Sequence, residues 1–226
     1  MRNYSGQVTK IQMDPGGRIG AWITCPAEAA PDPGRYLLAA DREAVLATPL
    51  FAGQSTSGGF LATPPVPARW VPGSMLRLRG PFGHGFNLPE TVNRLALVAV
   101  GDTISRLVHV AIQSLRADVE IALFTDAPLG PLPTAIEVNP LHILPDSLSW
   151  PDFLALDLPL ASLPDLRQII GLATEQRLPC PAQALILSPM PCANLADCSI
   201  CAVRGRRSWK LSCKDGPVFN LNELAW

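Results

Sequence analysis

The sequence predicts a mixed β and α/β chain: an N-terminal β-barrel, a Rossmann-like parallel-sheet α/β domain, and a small C-terminal cysteine-cluster segment. Three observations predict it. Short apolar runs separated by Pro-Gly turns fill the first ninety residues, a strand–helix–strand pattern begins at Arg94, and four of the six cysteines fall after residue 190. The divisions are expected at 1–92, 93–189 and 190–226. At 226 residues and 48% apolar, the chain is long enough to bury a substantial core. Its 24 prolines and 17 glycines favour turns and strand ends over long helices.

In the barrel region, Gly6–Ile11, Gly20–Thr24 and Arg35–Ala39 read as strands. Met75-Leu76-Arg77-Leu78-Arg79 alternates apolar and basic residues with the period of a half-buried strand. Pro15-Gly16-Gly17, Pro33-Gly34 and Pro72-Gly73 mark the turns between them.

From Arg94 the pattern changes. Leu95 to Val100 is a continuous apolar run, suited to a strand covered on both faces. Gly101-Asp102-Thr103 breaks it, and Ile104 to Ala117 follows with helical spacing, its apolar positions at Ile104, Leu107, Val108, Ala111, Ile112 and Leu115. Asp102 is expected to cap that helix. Val119 to Phe124 is the next strand, which completes a βαβ unit. Phe153 to Leu158 reads as a strand, Pro164 to Gln176 as a helix, and Ala184 to Leu187 as the last strand.

Cys192, Cys198, Cys201 and Cys213 are spaced C-x5-C-x2-C-x11-C. Four thiolates with one C-x2-C pair and unequal outer gaps can fold around a metal centre. The plant-type [2Fe–2S] loop, C-x4-C-x2-C and then a distant fourth cysteine, is the nearest template, with the first gap here one residue longer. The residues between are small (Ala193, Ala196, Ser199, Ala202), which lets backbone N–H groups approach bridging sulfides. Zinc is the rival, since four-cysteine zinc sites also use C-x2-C, although zinc ribbons carry two such knuckles. Disulfides or free thiols are the remaining alternatives. Cys25 and Cys180 stand apart and read as buried small apolar residues.

A formal charge of −1 argues against nucleic acid as a partner. No apolar leader follows Met1, and the two long uncharged stretches, 47–68 and 178–196, carry too many prolines and polar residues for a membrane span. A cytoplasmic protein is expected, in which clustered cysteines mean metal or redox work more than disulfides. No Gly-x-Ser-x-Gly, paired-carboxylate or Gly-Lys-Ser/Thr pattern supports a stand-alone hydrolase or kinase. The three histidines, His84, His109 and His142, are scattered. Arg204, Arg206, Arg207, Lys210 and Lys214 crowd a hairpin with Gly205 at its turn and Trp209 on its return strand, a solvated tip or a docking face for an acidic partner.

Barrel, nucleotide-binding-type domain and a cysteine cluster ending in Cys213-Lys214-Asp215-Gly216-Pro217-Val218-Phe219 form a recognisable order. The chain resembles the electron-transfer subunit of heterodimeric dihydroorotate dehydrogenase, an iron–sulfur flavoprotein of pyrimidine biosynthesis in the ferredoxin reductase-like group. Pro33-Gly34-Arg35-Tyr36 and Leu76 to Phe86 are similar to that family's barrel motifs, and Met190-Pro191-Cys192 through Phe219 to its cluster segment. The resemblance implies a [2Fe–2S] cluster on the four cysteines, FAD in the barrel cleft, a nicotinamide nucleotide on the α/β domain, and a catalytic oxidoreductase subunit as partner.

Two of those sites depart from the family pattern. The flavin-gripping Arg-Pro-Phe/Tyr-Ser/Thr stretch aligns with Thr48-Pro49-Leu50-Phe51, which lacks the arginine; Pro49, Leu50 and Phe51 are the candidate flavin contacts. For the pyrophosphate turn the only candidate is Gly58 to Pro65. The glycine-rich dinucleotide turn is reduced to Val100-Gly101-Asp102-Thr103-Ile104-Ser105, where a carboxylate stands in place of the phosphate. The expectation is a retained cluster, weak FAD or none, and no NAD(P) binding. A non-redox assembly module holding structural zinc is the alternative.

Overall fold

A computed structural model describes residues 2–173, 175–192, 195–196 and 198–226. Six strands close into a barrel: β1 (Asn3–Met13), β2 (Ile19–Thr24), β3 (Tyr36–Ala40), β4 (Thr48–Thr56), β5 (Gly59–Ala62) and β6 (Met75–Phe82). Their order around the barrel is β1-β2-β5-β4-β3-β6, and every neighbouring pair is antiparallel. The alternation read in β6 sends Leu76 and Leu78 inward and leaves Met75 and Arg77 in solvent. Inside, they meet Val8, Ile23, Leu37, Leu50 and Phe60. Each such side chain contributes about 1.5–3 kcal/mol by leaving water.

The stretch from Gly58 to Pro65, the candidate pyrophosphate turn, holds strand β5 over Gly59–Ala62. β5 pairs with both β2 and β4, and its Phe60 and Ala62 are fully buried. Polar Gln54, Ser55 and Thr56 at the end of β4 hid the hairpin, because polar residues there break the apolar alternation that marks a strand.

The second sheet has the order β14-β11-β10-β7-β8-β9. Its strands are β7 (Arg94–Ala99), β8 (Glu120–Thr125), β9 (Ile136–Asn139), β10 (Phe153–Pro159), β11 (Ala182–Leu187) and β14 (Val218–Asn220). All pairs are parallel except β14 with β11. The continuous apolar runs follow from burial on both faces. Leu95, Leu97 and Ala99 of β7 lie under helix α1 (Ser105–Leu115), with Phe153 and Ala155 of β10 beside them. The alternate residues Ala96, Val98, Leu154, Leu156 and Leu158 face a second layer containing Leu144, Leu163, Leu166 and Ile170.

Two expectations are corrected. The helix predicted from Pro164 to Gln176 is a single turn, α3 (Leu166–Ile169), and the chain turns at Gly171, packed against Pro145. Asp102 does not cap α1: the Thr103 hydroxyl accepts the Ser105 N–H at 3.1 Å, while the Asp102 carboxylate reaches Arg18 at 3.1 Å. The hydroxyl sits two residues before the amide it satisfies, so the aspartate is free to bind across to the barrel. The cysteine segment is also more than an appendage, since β14 from within it extends the sheet. Strands β12 (Ala202–Arg204) and β13 (Trp209–Leu211) form the expected hairpin beside it.

Candidate functional site

The segment carrying the cysteines is seated at the junction of barrel and sheet. Two sequence motifs dock on one another there. The His84 N–H donates to the Gly216 carbonyl at 2.6 Å, and the Val218 N–H returns to the His84 carbonyl at 3.3 Å. Gly83 has a φ of 73°, and a Cβ there would stand 2.4 Å from the Gly216 oxygen. Only glycine satisfies that turn and that approach together. The Gly-Pro-Phe-Gly-His-Gly-Phe and Lys-Asp-Gly-Pro-Val-Phe stretches are therefore two halves of one contact.

Beneath it lies a small apolar core shared by Tyr36, Leu38 and Phe51 of the barrel, Leu185 of β11, Met190, Cys201, Cys213 and Val218. Cys201 and Cys213 are buried, and the Cys201 thiol donates to the Cys213 sulfur at 3.3 Å. Both are free thiols, as are the other four cysteines. Cys192 is half-buried and donates to the Ala196 carbonyl at 3.2 Å; Cys198 is exposed. Burial, then the hydrogen bond and charge of Cys201 and the charge of Cys192, push the Cys213 thiol up to about 12. The same sulfurs push up the Tyr36 phenol, chiefly through burial and then through Cys213, Cys201 and Cys192, while Arg79 opposes them. Cys201 and Cys192 thus both lie near enough to Cys213 to oppose its ionisation. Among the described residues, no three His, Cys, Asp or Glu side chains are drawn tightly enough to hold a metal ion.

Local structure holds the sulfur pair in place. The Tyr36 hydroxyl donates to the Cys213 carbonyl at 2.8 Å. The Asp215 carboxylate accepts the Leu211 N–H at 2.7 Å, and the Ser212 N–H donates to the Cys201 carbonyl at 3.0 Å. Ser199, inside the C-x2-C pair, takes a left-handed φ of 57°. Beside Cys192 a cleft of about 810 Å³ separates the segment from the barrel, walled by Leu38, Ala44 to Ala47, Pro191 and Leu195, with Arg77 and Arg79 on its barrel side.

The candidate flavin residues are placed less favourably. Leu50 points into the barrel core, and Phe51 is covered by the shared core around the cysteines, tilted against Tyr36 with ring centroids 6.1 Å apart. Pro49 alone of the three keeps part of its surface open. On the far side of the barrel, the N-terminal end of α1 presses on β4: a Cβ at Gly53 would meet the Ser105 carbonyl at 2.8 Å. Arg18 binds the Asp102 carboxylate and its carbonyl oxygen. Arg106, the second residue of α1, donates through Nε to both oxygens of Asp157 at 3.0 and 2.9 Å, and through Nη1 to the Pro64 carbonyl at 3.4 Å. Arg18, Thr103 and Arg106 thus make the contacts around the first turn of α1. A cleft of about 390 Å³ survives alongside, lined by Gln12, Gln54, Thr63, Ser105 and Leu132 among others.

Sequence reasoning missed Tyr36 as a support for the fourth cysteine and missed the Arg106–Asp157 pair. The second carried a signal: Asp157 interrupts an apolar strand, and a carboxylate buried on both faces demands a cation. Cys25 and Cys180 sit in separate apolar surroundings, and burial pushes each thiol up to about 11. His84 leans its Nδ1 on the Asp215 carbonyl at 3.1 Å, at the joint itself. His109 is buried on α1 against Gln113, and burial pulls its imidazole pKa down; His142 lies away in a short turn.

The fold has close structural counterparts. Over 98% of this chain and 90% of its own, a structure described as an NADH-dependent reduced ferredoxin-NADP oxidoreductase, studied for flavin-based electron bifurcation, superposes with a TM-score of 0.77 at 16% identity. The ferredoxin reductase in carbazole 1,9a-dioxygenase gives 0.57 at 17% identity, covering 75% of this chain, which spans 65% of that protein. The flavohem-like FAD/NAD-binding domain of nitric oxide dioxygenase from Vibrio cholerae O1 biovar El Tor gives 0.52 at 12%, over 82% of this chain and 99% of that domain. The fold is therefore ferredoxin reductase-like. No protein-family model and no curated protein matches the sequence. Among the described residues no helix is long and apolar enough to cross a membrane.

Proposed function

We propose that the chain carries a [2Fe–2S] cluster on Cys192, Cys198, Cys201 and Cys213 and serves as the electron-transfer subunit of a partner oxidoreductase. The observation that carries this reading is the sulfur pair Cys201–Cys213, buried at the barrel–sheet junction with Cys192 in electrostatic reach. In a two-iron cluster each iron needs two terminal thiolates, so the ligands divide into pairs. Mononuclear zinc needs all four sulfurs around one atom. One close buried pair, with Cys192 turned to its own backbone and Cys198 in solvent, suits the first division better. Crowded thiols resist ionisation beside one another, and a bound cationic centre relieves that repulsion.

When bound, such a cluster accepts and passes on single electrons. The protein's part is positional. Tyr36 and Asp215 hold the backbone around Cys213, the shared apolar core keeps water from two sulfurs, and the C-x2-C turn leaves Cys198 toward solvent on the side open to a partner. The docked Gly80–Phe86 and Lys214–Phe219 motifs support the narrower assignment to the electron-transfer subunit of heterodimeric dihydroorotate dehydrogenase, with a catalytic oxidoreductase as partner.

One counterpart is described through flavin-based electron bifurcation and another as an FAD/NAD-binding domain, so FAD is the candidate ligand here. The arginine-free β4, the inward Leu50 and the covered Phe51 support sub-stoichiometric flavin or none. The contacts around the first turn of α1 support the loss of NAD(P) binding. The test is the visible spectrum of aerobically purified protein, before and after dithionite. Broad absorption that bleaches on reduction is expected; a colourless protein with one zinc per chain would replace this reading with the structural-zinc module.

A further inference from the structure

We propose that the β12–β13 hairpin is the docking face for an acidic redox protein, with Trp209 as its apolar anchor and Arg204 and Arg207 as its cationic rim. This rests on the proposed electron-transfer role for its purpose, but on the hairpin alone for its chemistry. Arg204 and Trp209 are register partners in the hairpin, so they share one face. That face is open, with Trp209 70% exposed. An indole in water beside guanidinium groups is the side-chain combination that most often dominates protein interfaces.

The charge is one-sided. From Cys198 to Lys214 there are five cations and no carboxylate. Lys210 is neutralised by Glu223 at 2.9 Å, and the Arg206 guanidinium leans on the Leu224 carbonyl at 3.4 Å. Arg204 and Arg207 are left for a partner. Opposite charge on that partner follows from Coulomb attraction at a surface where cations outnumber anions.

The hairpin is also tied down by backbone hydrogen bonds, and ordering a surface before binding lowers the entropic cost of binding. The Gly205 N–H closes the turn on the Ser208 carbonyl at 3.0 Å. The outer edge of β12 is held by the chain terminus: Ala225 N–H donates to the Arg204 carbonyl at 2.9 Å, and Arg206 N–H to the Glu223 carbonyl at 2.9 Å. At its base stand Cys201 and Cys213, one residue before β12 and two after β13. Ile200, next to Cys201, is exposed as well. A partner seated on Trp209 would sit on the hairpin that joins Cys201 to Cys213.

The experiment titrates the full chain with a small acidic redox protein, flavodoxin, by calorimetry at low and at moderate salt. Binding is expected at low salt and should weaken as salt rises. Arg204→Glu with Arg207→Glu should weaken it tenfold or more, and Trp209→Ala should weaken it at both salt concentrations. No binding, or binding that all three substitutions leave unchanged, would overturn the proposal. Visible absorption of the same samples scores the cluster separately. Colourless protein that still binds through the hairpin would end the cluster assignment alone, and coloured protein that does not bind would end the docking face alone.

Discussion

Replacing Arg106 by Met removes the cation from the most buried charge pair among the described residues. The side chains of Arg106 and Asp157 are 7% and 1% exposed, and Arg106 Nε meets both carboxylate oxygens. With the guanidinium gone, the Asp157 carboxylate loses both hydrogen bonds from Arg106 and keeps only the charge of Arg18, and the Pro64 carbonyl loses its donor. Breaking a buried pair in this way costs about 3–5 kcal/mol, a large share of the ~5–15 kcal/mol that holds a domain together. Removing both charges, as Arg106→Met with Asp157→Leu, should recover most of it. The penalty should also depend on pH. Burial already raises the Asp157 pKa against the opposing pull of Arg106, and losing Arg106 raises it further. A carboxyl whose folded pKa lies above its unfolded value favours the fold when protonated, and loses that advantage as pH climbs through the folded pKa. The single variant should therefore be least stable near neutrality and regain stability on acidification toward the ordinary carboxylate range. Urea unfolding followed by tryptophan fluorescence reads all of this. A single-variant cost below about 1 kcal/mol at neutral pH, or a double variant no better than the single, would refute the reasoning.

Three further outcomes are expected. Serine at any one of Cys192, Cys198, Cys201 or Cys213 should bleach or sharply weaken the visible chromophore, whereas serine at Cys25 or Cys180 should not; a full spectrum in Cys213→Ser would break the ligand assignment. NADH and NADPH should show no useful affinity by calorimetry, and a dissociation constant in the low micromolar range, about 8 kcal/mol of binding, would show that the end of α1 is not closed. Gly53→Val should destabilise the chain by about 1–3 kcal/mol, because its Cβ would meet the Ser105 carbonyl at 2.8 Å and Thr63 Cγ2 at 3.0 Å; an unchanged unfolding midpoint would mean that α1 yields at that contact.

Much of the architecture was legible because periodicity is a direct consequence of burial. β6 alternates since one face is wet, and β7 does not since both of its faces are covered. β4 and β5 were hidden by glycine, proline and polar residues that the barrel tolerates only once its other strands are in place. α3 was overread because apolar spacing from Pro164 to Gln176 continues past the point where tertiary packing turns the chain at Gly171. The glycines of the Gly80–Phe86 turn were visible as a motif, but their cause was not: the close approach of Gly216 joins residues more than a hundred positions apart. Asp102 illustrates the same limit. A cap is a local contest that Thr103 wins, and the partner that draws the aspartate away, Arg18, is remote in sequence. Of the candidate site, spacing named the four cysteines, while the support from Tyr36 and the covering of Phe51 are products of the assembled fold.

We propose that these cysteines hold an iron–sulfur cluster on a ferredoxin reductase-like frame. Iron, acid-labile sulfide, zinc and flavin determined on one preparation of the full chain test it most directly. About two irons and two sulfides per chain, with FAD well below one, are predicted. One zinc per chain without sulfide, in a protein that is colourless, would contradict it.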